Sequence, residues 1–306
     1  MKRLLITVLF LALATALAQG DFAQRFDTAW RLVAERYWDQ NFNGVDWQAV
    51  REAYEPEALR AGDDAAFYAV LEAMYQALGD NHTVFVPPHR VQEIRESFGD
   101  LPCLPVFMQA GETRFGTVRY ELLEPGIGYI QLPDLASTSI TANLRQAVRS
   151  LIAKEAESLI LDLRGNPGGR LLEMMQAAGV FTGGLLWRVV TRWMLPIPYP
   201  AIGPTETGLP LVVLIDGGVN SAAEGLAGAL QAQGRAVLIG ETTAGNVEAV
   251  LPFCLPGGSQ AWIATGVLAP LWGPTWEGRG VEPDIAVPAA EALEAALRYL
   301  HGRAGH

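Results

Sequence analysis

LVVLIDGGVNSAAEGLAGAL, residues 211–230, is the stretch on which the reading of the fold turns. It begins with an unbroken apolar run, Leu211-Val212-Val213-Leu214-Ile215, which suits a strand buried on both faces. Asp216-Gly217-Gly218 ends the run with turn chemistry. A small-residue helix is expected from Ala222 to Gln231, with Asn220 or Ser221 at its start. The local pattern suits two roles for Ser221. It can cap the helix by accepting a hydrogen bond from an amide of the first turn. It can also be a nucleophile at the tip of a strand–helix turn, with the Ala222 N–H and the positive end of the helix dipole beside it to hold an oxyanion. A choice between the two needs a base, an orienting acid and a second oxyanion donor elsewhere in the chain.

Outward from this stretch, strands and helices alternate. Strands are expected at Tyr129–Leu132, Leu159–Leu163, Leu185–Val190 and Ala236–Ile239, with helices near Ile140–Ala153 and Leu171–Ala178. This repetition predicts an α/β core of largely parallel strands. The turn Arg164-Gly165-Asn166-Pro167-Gly168-Gly169 lacks the Lys-Ser/Thr of a phosphate loop, so nucleotide binding is not expected. Its paired glycines after a strand suit the presentation of a bare backbone N–H. Before the core, residues 21–38, 45–59, 64–78 and 90–98 carry helical patterns, and Val106–Met108 and Gly116–Leu123 read as strands. After it come the small-residue loop 240–246, a strand over 259–267 and a closing helix, Ala289–Leu300.

Composition narrows the classes of function. The 306 residues are 50% hydrophobic and carry a formal charge of −11, which argues against nucleic acid or an anionic membrane surface as partner. Lys2-Arg3, an apolar stretch from Leu4 to about Leu13 and Ala16-Leu17-Ala18 read as a signal peptide over residues 1–18. The stretch is short for a transmembrane span, so the expectation is an exported protein, periplasmic or extracellular, with no integral span after signal removal. A retained anchor is the alternative. Cys103 and Cys254 suit a disulfide outside the cytoplasm or two free thiols, and their spacing matches no metal site. Four histidines without a His/Cys cluster predict neither zinc nor any other cofactor.

The inventory of bases is short. Beyond the signal the sole lysine is Lys154, at the end of an amphipathic helix. His301 and His306 lie in the tail, which leaves His82, in the turn Gly79-Asp80-Asn81-His82-Thr83, and His89, after two prolines. Ser221 with His82 is the preferred pair, and a third member should be a carboxylate that fixes the imidazole tautomer.

These residues resemble the tail-specific (C-terminal-processing) and tricorn-type serine peptidases. The likeness rests on GYIQLPDL at 128–135, LILDLRGNPGG at 159–169, LVVLIDGGVNSAAEGLAGALQ at 211–231, GRAVLIGETTAG at 234–245 and WEGRGVEPDIAVP at 276–288. It implies a crotonase/ClpP-like spiral core of parallel strands and helices over residues 99–306, with a small helical N-terminal region over 19–98. No PDZ domain is expected, because the gap after His82 is too short for one. Ser221 stands at the nucleophile position, with Glu224 three residues on. Where the processing branch carries a lysine base this chain has Asn246, so a Ser–Lys dyad is excluded. The tricorn pattern instead implies His82 as base and Glu277 as the orienting acid, with oxyanion donors at Gly168 and Ala222. Gly169 is a substitute for Gly168, and Asn81 replaces a serine that precedes the tricorn histidine.

The resemblance therefore implies an exported serine endopeptidase acting on peptides or unfolded protein segments, with homo-oligomers compatible. The repeats of interphotoreceptor retinoid-binding protein also resemble the tail and the Gly-Glu-x-Thr-Ala-Gly loop, and they carry apolar ligands on this fold. A non-catalytic binding protein, with Trp187–Pro200 lining an apolar groove, is the second expectation.

Overall fold

The computed structural model describes residues 21–98 and 116–304. In chain order the helices and strands are α1 (residues 21–36), α2 (Trp47–Leu59), α3 (Asp64–Gln76), β1 (Val84–Val86), α4 (Pro88–Phe98), β2 (Arg119–Glu124), β3 (Ile127–Gln131), α5 (Ile140–Ile152), β4 (Ser158–Asp162), α6 (Leu171–Phe181), β5 (Leu185–Thr191), β6 (Ile197–Pro200), β7 (Leu211–Ile215), α7 (Ala222–Ala232), β8 (Val237–Gly240), β9 (Glu248–Cys254), β10 (Gln260–Pro270), β11 (Ile285–Ala286) and α8 (Ala292–Ala304). They form two compact units. The described residues up to 98 join Val250–Gly266 in the first, and residues 116–249 and 267–304 make the second. A single boundary after residue 98, expected from the sequence, therefore misses the return of Val250–Gly266 to the N-terminal unit.

The first unit is helical because its chain caps well and carries an aromatic stripe. Asp46 accepts from the Gln48 and Ala49 amides at 3.0 Å and starts α2; Asp63 accepts from Ala66 at 2.9 Å and starts α3. Phe26, Val33, Tyr37, Phe67, Leu71 and Met74 form the buried core between the helices. The Arg25 guanidinium lies over Phe67, 4.7 Å from its centroid, and is bound by Asp64 at 2.7 Å. Strand β1 pairs antiparallel with the start of β10, Val84 opposite Trp262. Cys254, on β9, is disulfide-bonded; Cys103 lies outside the described residues, as does the strand expected at Val106–Met108.

The second unit holds a six-stranded sheet in the order β11-β8-β7-β4-β3-β2. Every pairing in it is parallel except β2 with β3. The unbroken apolar runs follow from burial on both faces. Leu211, Val213 and Ile215 of β7 pack with α5, α6 and α7, while Val212 and Leu214 pack with α8. Leu159 and Leu161 against Ile160 repeat the alternation on β4. Full burial of each such side chain contributes roughly 1.5–3 kcal/mol. Strands β6, β9 and the two-residue β11 were not expected from the sequence. Strand β6 has prolines at 198 and 200, which it tolerates as a terminal strand. Strand β9 follows a glycine-rich loop with no apolar alternation of its own. Among the described residues no helix is long and apolar enough to cross a membrane.

The loop before β7 is tied to α5 by Glu206, which accepts from Arg149 at 2.8 Å and from Arg145 at 2.8 Å. Arg149 first, and Arg145 second, hold the Glu206 carboxyl at about 2, down from an ordinary 4.5. Because the folded-state value is the lower one, this contribution to stability is complete above about 4.5 and lost as pH falls through about 2. Glu206→Gln is expected to lower the Tm at neutral pH, with the gap from the parent chain closing across that acidic window. Thermal melts in a pH series read the convergence; a constant gap would place the effect elsewhere.

Candidate active site

Ser221 follows the buried strand β7 and the Asp216-Gly217-Gly218 turn, and stands at the N-cap of α7. An ordinary capping residue is extended. Ser221 instead has φ 52° and ψ −120°, a conformation that costs a non-glycine residue on the order of 1–3 kcal/mol. Backbone strain of this kind persists only where the surrounding contacts enforce it.

Glu224 pays the strain back: its side chain is fully buried, and it accepts four hydrogen bonds. They come from the Ser221 amide at 2.9 Å, the Asn246 amide at 2.9 Å, the Gly245 amide at 2.6 Å and the Thr243 hydroxyl at 2.6 Å. The Ser221 amide is shared with the Asn246 carbonyl at 3.1 Å. The loop 243–247 is thus clamped to the start of α7. Its next amide, Val247 N–H, donates to the Glu277 carboxylate at 2.7 Å, and Gly278 N–H donates to the Gly245 carbonyl at 2.7 Å. Adjacent residues 246 and 247 therefore connect Ser221 to Glu277. Gly228 permits the same approach from the other side, since a methyl there would meet the Trp276 ring at 2.5 Å.

The turn after β4 packs directly on the start of α7. A Cβ at Gly168 would lie 2.9 Å from the Ser221 Cβ and 2.8 Å from the Ala222 nitrogen, and the φ of +90° excludes one in any case. Asn166, fully buried, organises the turn: its amide nitrogen donates to the Leu132 carbonyl at 2.8 Å, and its main-chain carbonyl accepts from Asn220 at 3.0 Å. The Asn166 side-chain oxygen accepts from the Gly168 amide at 2.8 Å. The Gly168 N–H is thereby occupied, whereas Gly169 is exposed and its N–H makes no hydrogen bond among the described residues. At the root of the turn, buried Asp162 is gripped by Arg164 at 2.6 and 3.0 Å and by the Tyr129 hydroxyl at 2.6 Å. Burial first, and the Asp162 bond second, push the Tyr129 phenol up.

Of the residues expected from the sequence, Ser221, Ala222, Gly168 and Glu277 share the second unit, and the structure brings them together. His82 belongs to the first. It is half-buried in a turn pinned by its own amide, which donates to Asp80 at 2.6 Å, and by the Thr83 hydroxyl, which accepts from Ala264 at 3.1 Å. His89 and Lys154 are exposed, on α4 and just past α5. Sequence reasoning missed Glu224 and Asn166 as the groups that shape the site. A signal existed for Glu224: an acid inside the otherwise small and apolar helix Ala222–Ala232 requires donors wherever it is buried.

A model of peptidase family S41 matches residues 126–287, and one of the tricorn protease C1 domain matches residues 19–76. The carboxyl-terminal-processing protease of a Picosynechococcus species is 24% identical over 366 residues, covering 93% of this chain and 88% of that protein. The carboxy-terminal processing protease CtpA of Bacillus subtilis is 36% identical over 132 residues, 42% of this chain, and this match spans only 28% of that protein. The structure of the photosystem II D1 C-terminal processing protease superposes with a TM-score of 0.69 at 22% identity, over 88% of this chain and 93% of that one. The α/β core with a helical front is thus the fold of the C-terminal-processing proteases, and the chain is a serine-type peptidase. It belongs to peptidase family S41.

Glu224→Gln would set an amide against donors that now converge on a carboxylate. The variant is expected to lose roughly 2–4 kcal/mol in denaturant unfolding. Labelling by a serine-directed phosphonate should fall with it; parent-like stability and labelling would remove Glu224 from this role.

Proposed function

We propose that the chain hydrolyses peptide bonds in peptides or unfolded protein segments through Ser221, His82 and Glu277. The observation that carries this reading is the strained Ser221 at the head of α7, with the Ala222 amide and the Gly168-Gly169 turn against it. Ser221 Oγ attacks the scissile carbonyl. The His82 imidazole takes the hydroxyl proton and returns it to the leaving amine, and water then resolves the acyl-enzyme by the same route. Glu277 orients the imidazole and stabilises its charged form. The Ala222 N–H holds the oxyanion together with an N–H of the glycine pair. Gly169 is the readier second donor, because using Gly168 requires its bond to Asn166 to be exchanged for the oxyanion.

We place the working protein outside the cytoplasm. Lys2-Arg3 with the apolar stretch behind them supports export, and a disulfide-bonded Cys254 suits an oxidising compartment.

Ser221→Ala and His82→Ala are each expected to lower kcat on an unstructured peptide by about 10⁴-fold or more. Glu277→Gln should cost less, on the order of 10²–10⁴-fold, and Lys154→Met should leave turnover unchanged. Steady-state kinetics with active-site titration test all four. Full activity in Ser221→Ala, or loss in Lys154→Met with retention in His82→Ala, would discard the assignment.

A further inference from the structure

Strands β5 and β6 form an antiparallel hairpin with an asymmetric distribution of apolar surface. At its base Trp187 is fully buried and stacks on Tyr199, with ring centroids 6.4 Å apart. At its tip six consecutive residues are exposed: Trp193, Met194, Leu195, Pro196, Ile197 and Pro198. Leu195 is 87% exposed. A second apolar turn is fastened to the same hairpin. Arg188 of β5 donates to the Pro270 carbonyl and, at 2.7 Å, to the Gly273 carbonyl, which presents Trp272 at 90% exposure. An exposed apolar run of this length is out of place on a protein surface unless it is used.

Two observations say what covers it. The first is charge. In a chain with a formal charge of −11 there is no acid between Gly183 and Thr205, and Arg188 and Arg192 are the only charged residues there. The turn from Pro270 to Thr275 is uncharged. At physiological salt, charges more than roughly 8–10 Å from a surface are screened. The −11 of the whole chain counts against an anionic surface in general, but the segment that carries the tip holds no acid of its own and presents Arg192 beside an indole. The second is the edge. Pro198 and Pro200 leave β6 with two N–H groups in its four residues, so an added strand would find few donors. The contact must then be made by side chains. Tryptophan beside arginine, with leucine and methionine beyond, is the chemistry of the lipid–water interface. Arg192 lies over the Trp193 ring, 4.5 Å from its centroid.

We propose that the Trp193–Pro198 tip, flanked by Trp272, docks the protein on the headgroup region of an anionic phospholipid bilayer. Leu195 and Met194 enter the acyl boundary, Trp193 and Trp272 sit at headgroup level, and Arg192 meets lipid phosphate. The docking is peripheral and does not depend on the catalytic assignment.

Flotation of the purified full chain with vesicles of phosphatidylcholine, and of a phosphatidylcholine–phosphatidylglycerol mixture, tests this. The chain should float with both and more strongly with the mixture. Leu195→Glu and Leu195→Ser should each weaken partitioning roughly tenfold or more, while Leu251→Glu, at an exposed leucine on β9, should float as the parent does. Thermal melts confirm that the variants are folded. The proposal is overturned if the parent chain stays with the unbound fraction, or if Leu195→Glu floats normally. It is also overturned if Leu195→Glu dissociates an oligomer in sedimentation, which would make a second copy the occupant. A raised KM for peptide without a change in flotation would assign the tip to substrate instead.

Discussion

A single buried carboxylate holds the site together. Glu224 is enclosed on a helix of alanine, glycine and leucine, and a charged group there is tolerable only if its lone pairs are filled. Four donors fill them, one from the residue that must be strained and three from the loop 243–246. The arrangement links two facts that would otherwise be separate. Ser221 remains in its unfavourable conformation because releasing it would orphan an acceptor inside the core. The loop remains in place because its amides have no better partner.

The sheet supplies the frame for that carboxylate. Strands β4 and β7 are parallel neighbours, Leu159 opposite Leu211 and Asp162 opposite Leu214, so their C-terminal ends emerge side by side. The turns that follow them, Arg164–Gly169 and Asp216–Asn220, must therefore meet. Asp216 joins them by accepting from Gly165 and from Gly218, each at 2.9 Å, and Asn166 by accepting from Asn220. Active groups gathered at the carboxyl ends of adjacent parallel strands follow from this geometry. The close approach at Gly168 is the same constraint expressed sterically.

The hairpin β5–β6 shows the reverse case, in which local sequence misled. Trp187–Pro200 suggested one continuous apolar lining. The structure divides that segment, with Trp187 in the core and Trp193–Pro198 outside. Periodicity could not separate them, because both halves are apolar and only the pairing register fixes which end meets the core.

Much of the architecture was nevertheless legible. Apolar runs such as Leu211–Ile215 and Leu159–Leu163 can only be satisfied between two layers, Asp46 and Asp63 announce helix starts, and the glycines at 168 and 169 mark a turn that no side chain could occupy. The near absence of lysine narrows the bases that the chain can offer. These are properties of residues and their immediate neighbours, so sequence alone determined them. Tertiary structure decided the φ of Ser221, the donors that the loop 243–246 brings to Glu224 and the tie from Val247 to Glu277. Each depends on groups more than a hydrogen bond's reach apart along the chain, or on a backbone angle that only surrounding contacts can enforce, and such terms are set when the chain closes on itself.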